Sequence, residues 1–162
     1  MEEVNRFKYL GWQVAADGGY EMDVVLRINE GYRAWGKLKS LLSNRGLGIK
    51  AKKCLYERVI VPTAVYGADA WDMSSAERRK VNVLEVQCLR SLAGVARMGR
   101  VNKEEVRRRA GIENELASRA DQRVLRWFGH VERMNEYRMA RRADGGSKWR
   151  ACTKETDVRL DG

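Results

Sequence analysis

The chain has 162 residues and carries 32 Lys and Arg against 22 Asp and Glu, which gives a formal charge of +10 at neutral pH. This length suits one ordinary domain or two small ones, and the 44% of apolar residues are enough to form a core. The basic balance favours a polyanionic partner, with nucleic acid ahead of an anionic membrane surface.

The composition also excludes several classes of protein. The chain starts with acidic residues and lacks the basic and apolar segments of a signal peptide, so we expect an intracellular protein, nuclear or cytoplasmic, that is not secreted. The longest apolar stretch, from Val59 to Ala68, is about half of the ~20 residues that a bilayer span needs, so we expect no membrane partner. The widely spaced Cys54, Cys88 and Cys152 fit reduced thiols, and the first two, in apolar helical patterns, should be buried.

The hydrophobic pattern predicts a mainly helical fold, a bundle of about five helices with a short N-terminal β strand or hairpin. Aromatic and β-favouring residues from Phe7 to Val14 precede the turn signal Asp17-Gly18-Gly19. Apolar residues then recur at steps of three and four. The predicted helices run from about Met22 to Leu42, Ile49 to Tyr66, Ser74 to Gly94, Asn102 to Gly111 and Leu116 to Met134.

Local signals mark the ends of these helices. Ser74 and Glu77 have the spacing of a reciprocal capping box, and Asn102 with Glu105 repeats it. Pro62 should kink or interrupt the second helix because it cannot donate a backbone hydrogen bond. The stops are expected at Asn44-Arg45-Gly46, which tolerates a left-handed backbone, and at Gly67, Gly94 and Gly111.

The excess of positive charge lies in two blocks. Residues 32–58 hold 8 basic residues against Glu57 alone, and residues 97–142 hold 13 basic and 7 acidic residues. Phosphate contacts need Lys and Arg heads that project from a rigid element. The candidate nucleic-acid-binding residues of the first block are Arg33, Lys37, Lys39, Arg45, Lys50, Lys52 and Lys53. The alternative is a solvated face whose lysines touch nothing.

The fifth predicted helix combines an apolar stripe with a ladder of basic residues. The stripe, which should face the core, steps through Ala120, Val124, Trp127, Val131 and Met134. One position earlier, about 100° round the helix, the ladder steps through Arg119, Arg123, Arg126, His130 and Arg133. Successive guanidinium groups could contact successive phosphates, so the four arginines are candidate nucleic-acid-binding residues. Alternatively, Asp121, Glu132 and Glu136 pair with some of these arginines.

No residue pattern predicts catalysis, a metal or a cofactor. His130 is the single histidine, and the three cysteines are too far apart for a zinc site. The chain has neither a G-x-G-x-x-G pattern nor a P-loop. Tyr66-Gly67-Ala68-Asp69 superficially resembles a polymerase box, but Asp69 stands alone and two-metal phosphoryl transfer needs two convergent carboxylates. We expect Asp69 and Trp71 to shape a turn after the second helix.

An ordered series of short strings resembles the reverse transcriptases of non-LTR (LINE-type) retrotransposons, over roughly residues 6–155. Phe7-Lys8-Tyr9-Leu10-Gly11 is similar to the segment after the palm active site, and Trp35-Gly36-Lys37-Leu38 to a thumb-side helix. The nine residues from Arg126 to Met134 are similar to the family's most recognisable downstream signature. After Lys148-Trp149, Ala151 stands where the family usually has an aspartate.

The resemblance implies four segments: a palm-end strand and turn at 1–20, a helical thumb-like region at 21–96, a basic helical connector at 97–142 and a flexible tail at 143–162. Phe7, Tyr9, Leu10 and Gly11 would form a primer-grip-like element. The basic blocks would bind RNA, DNA or an RNA–DNA hybrid through the backbone, without sequence specificity. The palm and its catalytic aspartates are not among these segments, so we expect a non-catalytic fragment or remnant without magnesium-dependent polymerase activity.

Two other interpretations stay open. The fourth and fifth predicted helices follow each other through a turn at Gly111, as in a helix-turn-helix DNA-binding module, although this turn is longer than the usual 3 to 4 residues. The chain could instead be a truncated product with no present function. In that case Trp12, Trp71 and other palm-facing apolar groups would be exposed.

Overall fold

The computed structural model describes residues 6–9, 12–15, 21–96, 99–135, 137–138 and 140–141. At the level of the backbone, strands β1 (Arg6–Tyr9) and β2 (Trp12–Ala15) pair antiparallel. The rest of the described chain is predominantly helical, which confirms the expected mainly α fold. No helix within these ranges is long and apolar enough to cross a bilayer.

Five helices form the body of the protein. Helix α2 has three consecutive pieces, an α-helix over Ile49–Leu55, a π-helical turn over Tyr56–Ile60 and an α-helix over Val61–Ala64. A short 3₁₀ turn, Ala68–Ala70, follows it. The other helices are α1 (Glu21–Ser43), α3 (Ser75–Leu92), α4 (Lys103–Ala110) and α5 (Leu116–Glu132). These bounds confirm the five predicted helices.

The π-helical turn in α2 accommodates Pro62. A proline ring clashes with the carbonyl four residues earlier and leaves that carbonyl without its donor, and a widened turn relieves both problems. The hydroxyl of Thr63 donates to the carbonyl of Val59 at 2.7 Å within this turn. Pro62 therefore interrupts the α-helical pattern, as predicted, without ending the helix.

The two predicted capping boxes differ in the structure. At α3 both halves are present, because the amide of Glu77 donates to Ser74 Oγ (3.3 Å) and the amide of Ser74 donates to Glu77 Oε2 (2.8 Å). At α4 the amide of Glu105 donates to Asn102 Oδ1 at 2.8 Å. The Glu105 carboxylate accepts hydrogen bonds from Arg108 and Arg109 instead of from the Asn102 amide. The second predicted capping box therefore has only one of its two hydrogen bonds.

Glycines with positive φ lie at three of the predicted stops, and the end of α1 differs. Gly67, which follows α2, Gly94 and Gly111 have φ of +74°, +66° and +68°, a left-handed conformation that glycine adopts without steric cost. The stop predicted at Asn44-Arg45-Gly46 is confirmed, because α1 ends at Ser43, but Gly46 is not among the described glycines with positive φ. Here the side chain of Asn44 supplies the local hydrogen bond, since its Oδ1 accepts from the Gly46 amide at 2.8 Å.

One hydrophobic core joins all five helices. Each helix contributes a fully buried residue: Leu42 from α1, Tyr56 from α2, Leu84 from α3, Val106 from α4 and Leu116 from α5. The segments 21–96 and 97–142 thus share one core.

Three predicted environments need correction. Cys54 is exposed, because it lies two positions, or about 200°, from the buried Tyr56 on α2. Trp127 is 45% exposed, since no described element packs over that part of α5. Trp71, which would be exposed in a truncated product, is only 2% exposed, and its indole Nε1 donates to buried Asp23 at 3.2 Å.

Candidate nucleic-acid interface

A groove of about 430 Å³ lies between the last turns of α1, the start of α2 and the end of α3. We call it the basic groove. Its cationic lining residues are Lys39, Arg45, Lys52 and Arg90, and no described Asp or Glu lines it. Four cations without a carboxylate form a surface of one sign, which attracts anions.

Lys52 is the most unusual residue of the basic groove. It precedes the core residue Tyr56 by four positions on α2, so helical geometry places it on the buried side. The residue is only 7% exposed, yet its side chain makes no hydrogen bond or ion pair with any described residue. An anion in the groove could therefore pair with its ammonium group without competing with a described carboxylate.

Arg90 holds one wall of the basic groove in place. Its guanidinium donates to three carbonyls of the loop after α3, those of Ala96 (3.1 Å), Gly99 (3.2 Å) and Val101 (2.7 Å). The loop starts at Gly94, whose positive φ turns the chain out of the helix. These bonds neutralise carbonyl dipoles that would otherwise repel an anion, and they fix the loop.

Trp35 forms the aromatic part of the basic groove. Its indole Nε1 donates to Ser91 Oγ at 3.3 Å, and the ring of Tyr32 meets it edge-on with centroids 6.2 Å apart. The ammonium of Lys39, one turn later on α1, lies 5.3 Å from the Trp35 ring centroid. The ring is thus held in a fixed orientation, with a cation over its face.

The structure brings together only part of the first predicted set. Lys39, Arg45 and Lys52 line the basic groove, whereas Lys37 and Lys50 are exposed outside it. Arg33 is exposed and pairs with Glu30 at 2.5 Å. The prediction that Lys53 binds nucleic acid needs correction. Its ammonium donates to the Gly111 carbonyl and connects α2 to the end of α4.

The arginine ladder of α5 is divided. Arg119 makes a bidentate pair with Glu57 of α2, and Arg123 pairs with Asp69 of the 3₁₀ turn at 3.2 Å. Arg126 and Arg133 are exposed and make no ion pair with any residue described. The ladder is therefore not four free phosphate contacts, since its first half binds acidic groups from elsewhere in the chain.

The acids of α5 itself do not take the ladder arginines. Asp121 accepts two hydrogen bonds from Arg78 of α3, at 2.5 and 2.7 Å. Glu132 pairs with Arg141 at 2.5 Å. These partners differ from the predicted alternative, because packing of α5 on the body decides which charges meet.

The α4–α5 pair does not present the reading surface of a helix-turn-helix module. Such a module contacts base edges with the N-terminal residues of its second helix. At the start of α5, Leu116, Ala117 and Ala120 are buried in the core, and Arg119 is paired with Glu57.

Some predicted site residues lie outside the described part of the chain. Leu10 and Gly11 are in this group, and the side chains of Phe7 and Tyr9 are not described either. Within the described ranges, no three His, Cys, Asp or Glu side chains group as metal ligands.

The sequence places Trp35 near the first basic block but does not identify it as a binding residue, and it does not point to Arg90 at all. The four-residue spacing of Trp35 and Lys39 is a signal for Trp35, and the position in the last turn of α3 is a signal for Arg90. The proximity of α1 to the end of α3 had no sequence signal.

Comparison with known proteins gives one relationship. A transposon-derived protein of Caenorhabditis elegans is 24% identical over 145 residues, which cover 85% of this chain and 50% of that protein. The chain is thus a distant homologue of a transposon-derived protein, and it spans about half of that relative's length. No family model and no solved structure matches the chain.

Proposed function

We propose that this chain is the thumb and connector portion of a non-LTR retrotransposon reverse transcriptase, and that it binds the phosphate backbone of nucleic acid without sequence specificity. The template–primer duplex and RNA are the substrates that this role requires. The chain itself would be non-catalytic, as it carries none of the family's palm aspartates.

The observation that carries the proposal is a largely buried lysine, Lys52, which makes no hydrogen bond or ion pair with a described residue and lines a groove that no described carboxylate lines. A phosphate is a suitable counter-ion, because Lys39 and Arg45 line the same groove and can share its charge. A protein that neutralises phosphates in this way reads no base edge, so the binding is independent of sequence.

Two further observations support the choice of family. The strings similar to non-LTR reverse transcriptases occur in the family's order, and the C. elegans relative is a transposon-derived protein. Both findings point to a transposable element.

The test is a titration of the full chain against fluorescently labelled RNA–DNA hybrid, duplex DNA and single-stranded RNA at several salt concentrations. We expect binding to all three, with log affinity falling linearly with log salt, by about 0.9 for each duplex phosphate contacted. Absence of binding at low salt, or a slope near zero, would contradict the proposal and would fit a product without function. A strong preference for one duplex sequence would favour the helix-turn-helix interpretation.

A further inference from the structure

We infer that the basic groove binds one unpaired nucleotide of a single strand, with its base stacked on Trp35 and its phosphate at Lys52 and Lys39. The inference rests on the proposed function, because it takes a nucleic-acid backbone as the source of the phosphate. It adds a preference for unpaired strands, which contact of the backbone alone does not give.

The size of the groove favours one nucleotide over a duplex. Its volume of about 430 Å³ lies in the lower part of the range of small-ligand sites, roughly 300 to 1,000 Å³. A base within a duplex has both faces covered by its neighbours and cannot reach a ring in such a groove. An unpaired base has free faces, and stacking on an aromatic side chain tolerates any base.

The orientation of Trp35 is set before any ligand binds. The hydrogen bond from Nε1 to Ser91 Oγ ties the indole to α3, and Ser91 Oγ in turn donates to the carbonyl of Gln87 at 3.2 Å. The edge of Tyr32 supports the ring from its own helix. A ring held in this way loses little conformational freedom when a base stacks on it.

The charges lie where a nucleotide needs them. The Lys39 ammonium lies over the Trp35 ring, 5.3 Å from its centroid, and Lys52 and Arg45 line the same groove. Lys39 is exposed, so its flexible side chain would leave the ring for the phosphate when a base stacks there. A phosphate attached to a stacked base would therefore lie within the same small site as these cations. With no described carboxylate among the lining residues, no like charge opposes it.

The first experiment changes the ligand and leaves the protein intact. The full chain is titrated with single-stranded oligothymidylate of about 12 nucleotides, the same length of abasic strand, a blunt duplex and oligouridylate. We expect the abasic strand to bind about tenfold more weakly than oligothymidylate, and the blunt duplex also more weakly. Comparison of the affinities for oligouridylate and oligothymidylate shows whether the nucleotide comes from RNA or from DNA. Preference for RNA and preference for DNA are both consistent with the inference.

The outcomes separate the two proposals. Equal affinity for the abasic strand and oligothymidylate would overturn stacking and leave backbone binding intact. Failure of every nucleic acid to bind would overturn the proposed function and the inference together.

The second experiment uses Trp35→Phe and Trp35→Leu. Both variants lose the hydrogen bond to Ser91, and only the Phe variant keeps an aromatic face. We expect Phe to retain most of the affinity for oligothymidylate, and Leu to lose about tenfold while its affinity for the abasic strand stays unchanged. Trp127→Leu, at an exposed position of α5 outside the groove, is the matched control and should bind like the wild type. Equal binding by the Phe and Leu variants would contradict the inference.

Discussion

Arg107 of α4 donates two hydrogen bonds to one oxygen of Glu85 on α3, from Nε at 3.2 Å and from Nη2 at 2.5 Å. Glu85 is fully buried, and its other oxygen accepts from the amide of Leu116 at the start of α5. Arg107 also contacts Glu115 at 2.6 Å. This single pair connects three helices and sets where α5 begins.

Arg107→Met should be among the most destabilising single substitutions in the chain. It leaves the Glu85 carboxylate buried without a counter-charge, which costs about 3 to 5 kcal/mol in the free energy of unfolding. Urea denaturation at neutral pH measures this loss. The control is Arg108→Met, whose exposed pair with Glu105 is screened by solvent and should contribute much less. Equal losses in the two variants would contradict the role of the buried pair.

The loss in Arg107→Met should depend on pH. Burial raises the pKa of Glu85 above its ordinary value of 4.5, and the hydrogen bonds from Arg107 oppose that rise. A folded state with a raised carboxyl pKa keeps its proton where the unfolded chain releases it, so stability falls as pH rises from 4.5 through the folded pKa. Without Arg107 the pKa rises further. The difference between variant and wild type should therefore be smaller at about pH 5 than at about pH 7, and an equal difference would contradict this explanation.

Two glycines of α1 should respond in opposite directions to substitution by alanine. A Cβ at Gly31 would lie 2.6 Å from Leu84 Cδ2 and 3.2 Å from Ala64 Cβ, within the tight packing of α1 on α2 and α3. Gly31→Ala should cost about 1 to 3 kcal/mol through overpacking. Gly36→Ala meets nothing within 4 Å and should stabilise the helix by up to about 1 kcal/mol. Thermal unfolding compares the two, and a shift of the same sign in both would be inconsistent with this packing.

Substitution of Arg119 should lower stability without changing nucleic-acid binding, and substitution of Arg126 should change binding with little effect on stability. Arg119→Gln loses the bidentate contact with Glu57, so the free energy of unfolding should fall by about 1 to 2 kcal/mol. Its salt slope for duplex binding should stay unchanged. Arg126→Gln should leave stability within about 0.5 kcal/mol and lower the slope by about 0.9 if the exposed guanidinium contacts a phosphate. The reverse assignment of these effects would refute the division of the ladder.

Cys54 and Cys88 should differ sharply in reactivity. Burial, together with the charge of Glu85, raises the pKa of the Cys88 thiol to about 12, whereas Cys54 is exposed. A maleimide at neutral pH should modify Cys54 in the native protein and Cys88 only in denaturant, because the thiolate is the reactive form. Mass spectrometry of the separated peptides reads each cysteine, so modification of Cys152 does not interfere. Comparable labelling of both residues in the native state would show that the core is open at α3.

The helices could be predicted because their signals are local. The apolar period, the Ser74–Glu77 box and the glycines at Gly94 and Gly111 all act within a few residues. Pairings between distant residues could not be predicted, since they depend on how the helices pack. Arg119 and Glu57 are 62 residues apart, and Lys53 and Gly111 are 58 residues apart.

The candidate site shows the same division. Charge counts located the first basic block and included Lys39, Arg45 and Lys52. They could not show that Lys52 is buried without a partner, or that Trp35 and Arg90 complete the groove, because these facts follow from the contact of α1 and α2 with the end of α3.

The most direct measurement compares Lys52→Met with Lys50→Met, in parallel for stability and for affinity to labelled single-stranded RNA. Replacement of this largely buried, unpaired lysine by an apolar side chain of similar length should leave stability equal or raised, while it lowers affinity at low salt by about tenfold. Lys50 is exposed two positions earlier on α2 and is the charge-matched control, with a smaller loss expected. A lower affinity together with equal or higher stability in Lys52→Met would support the basic groove as the phosphate site. Unchanged affinity in Lys52→Met, or an equal loss in Lys50→Met, would contradict it.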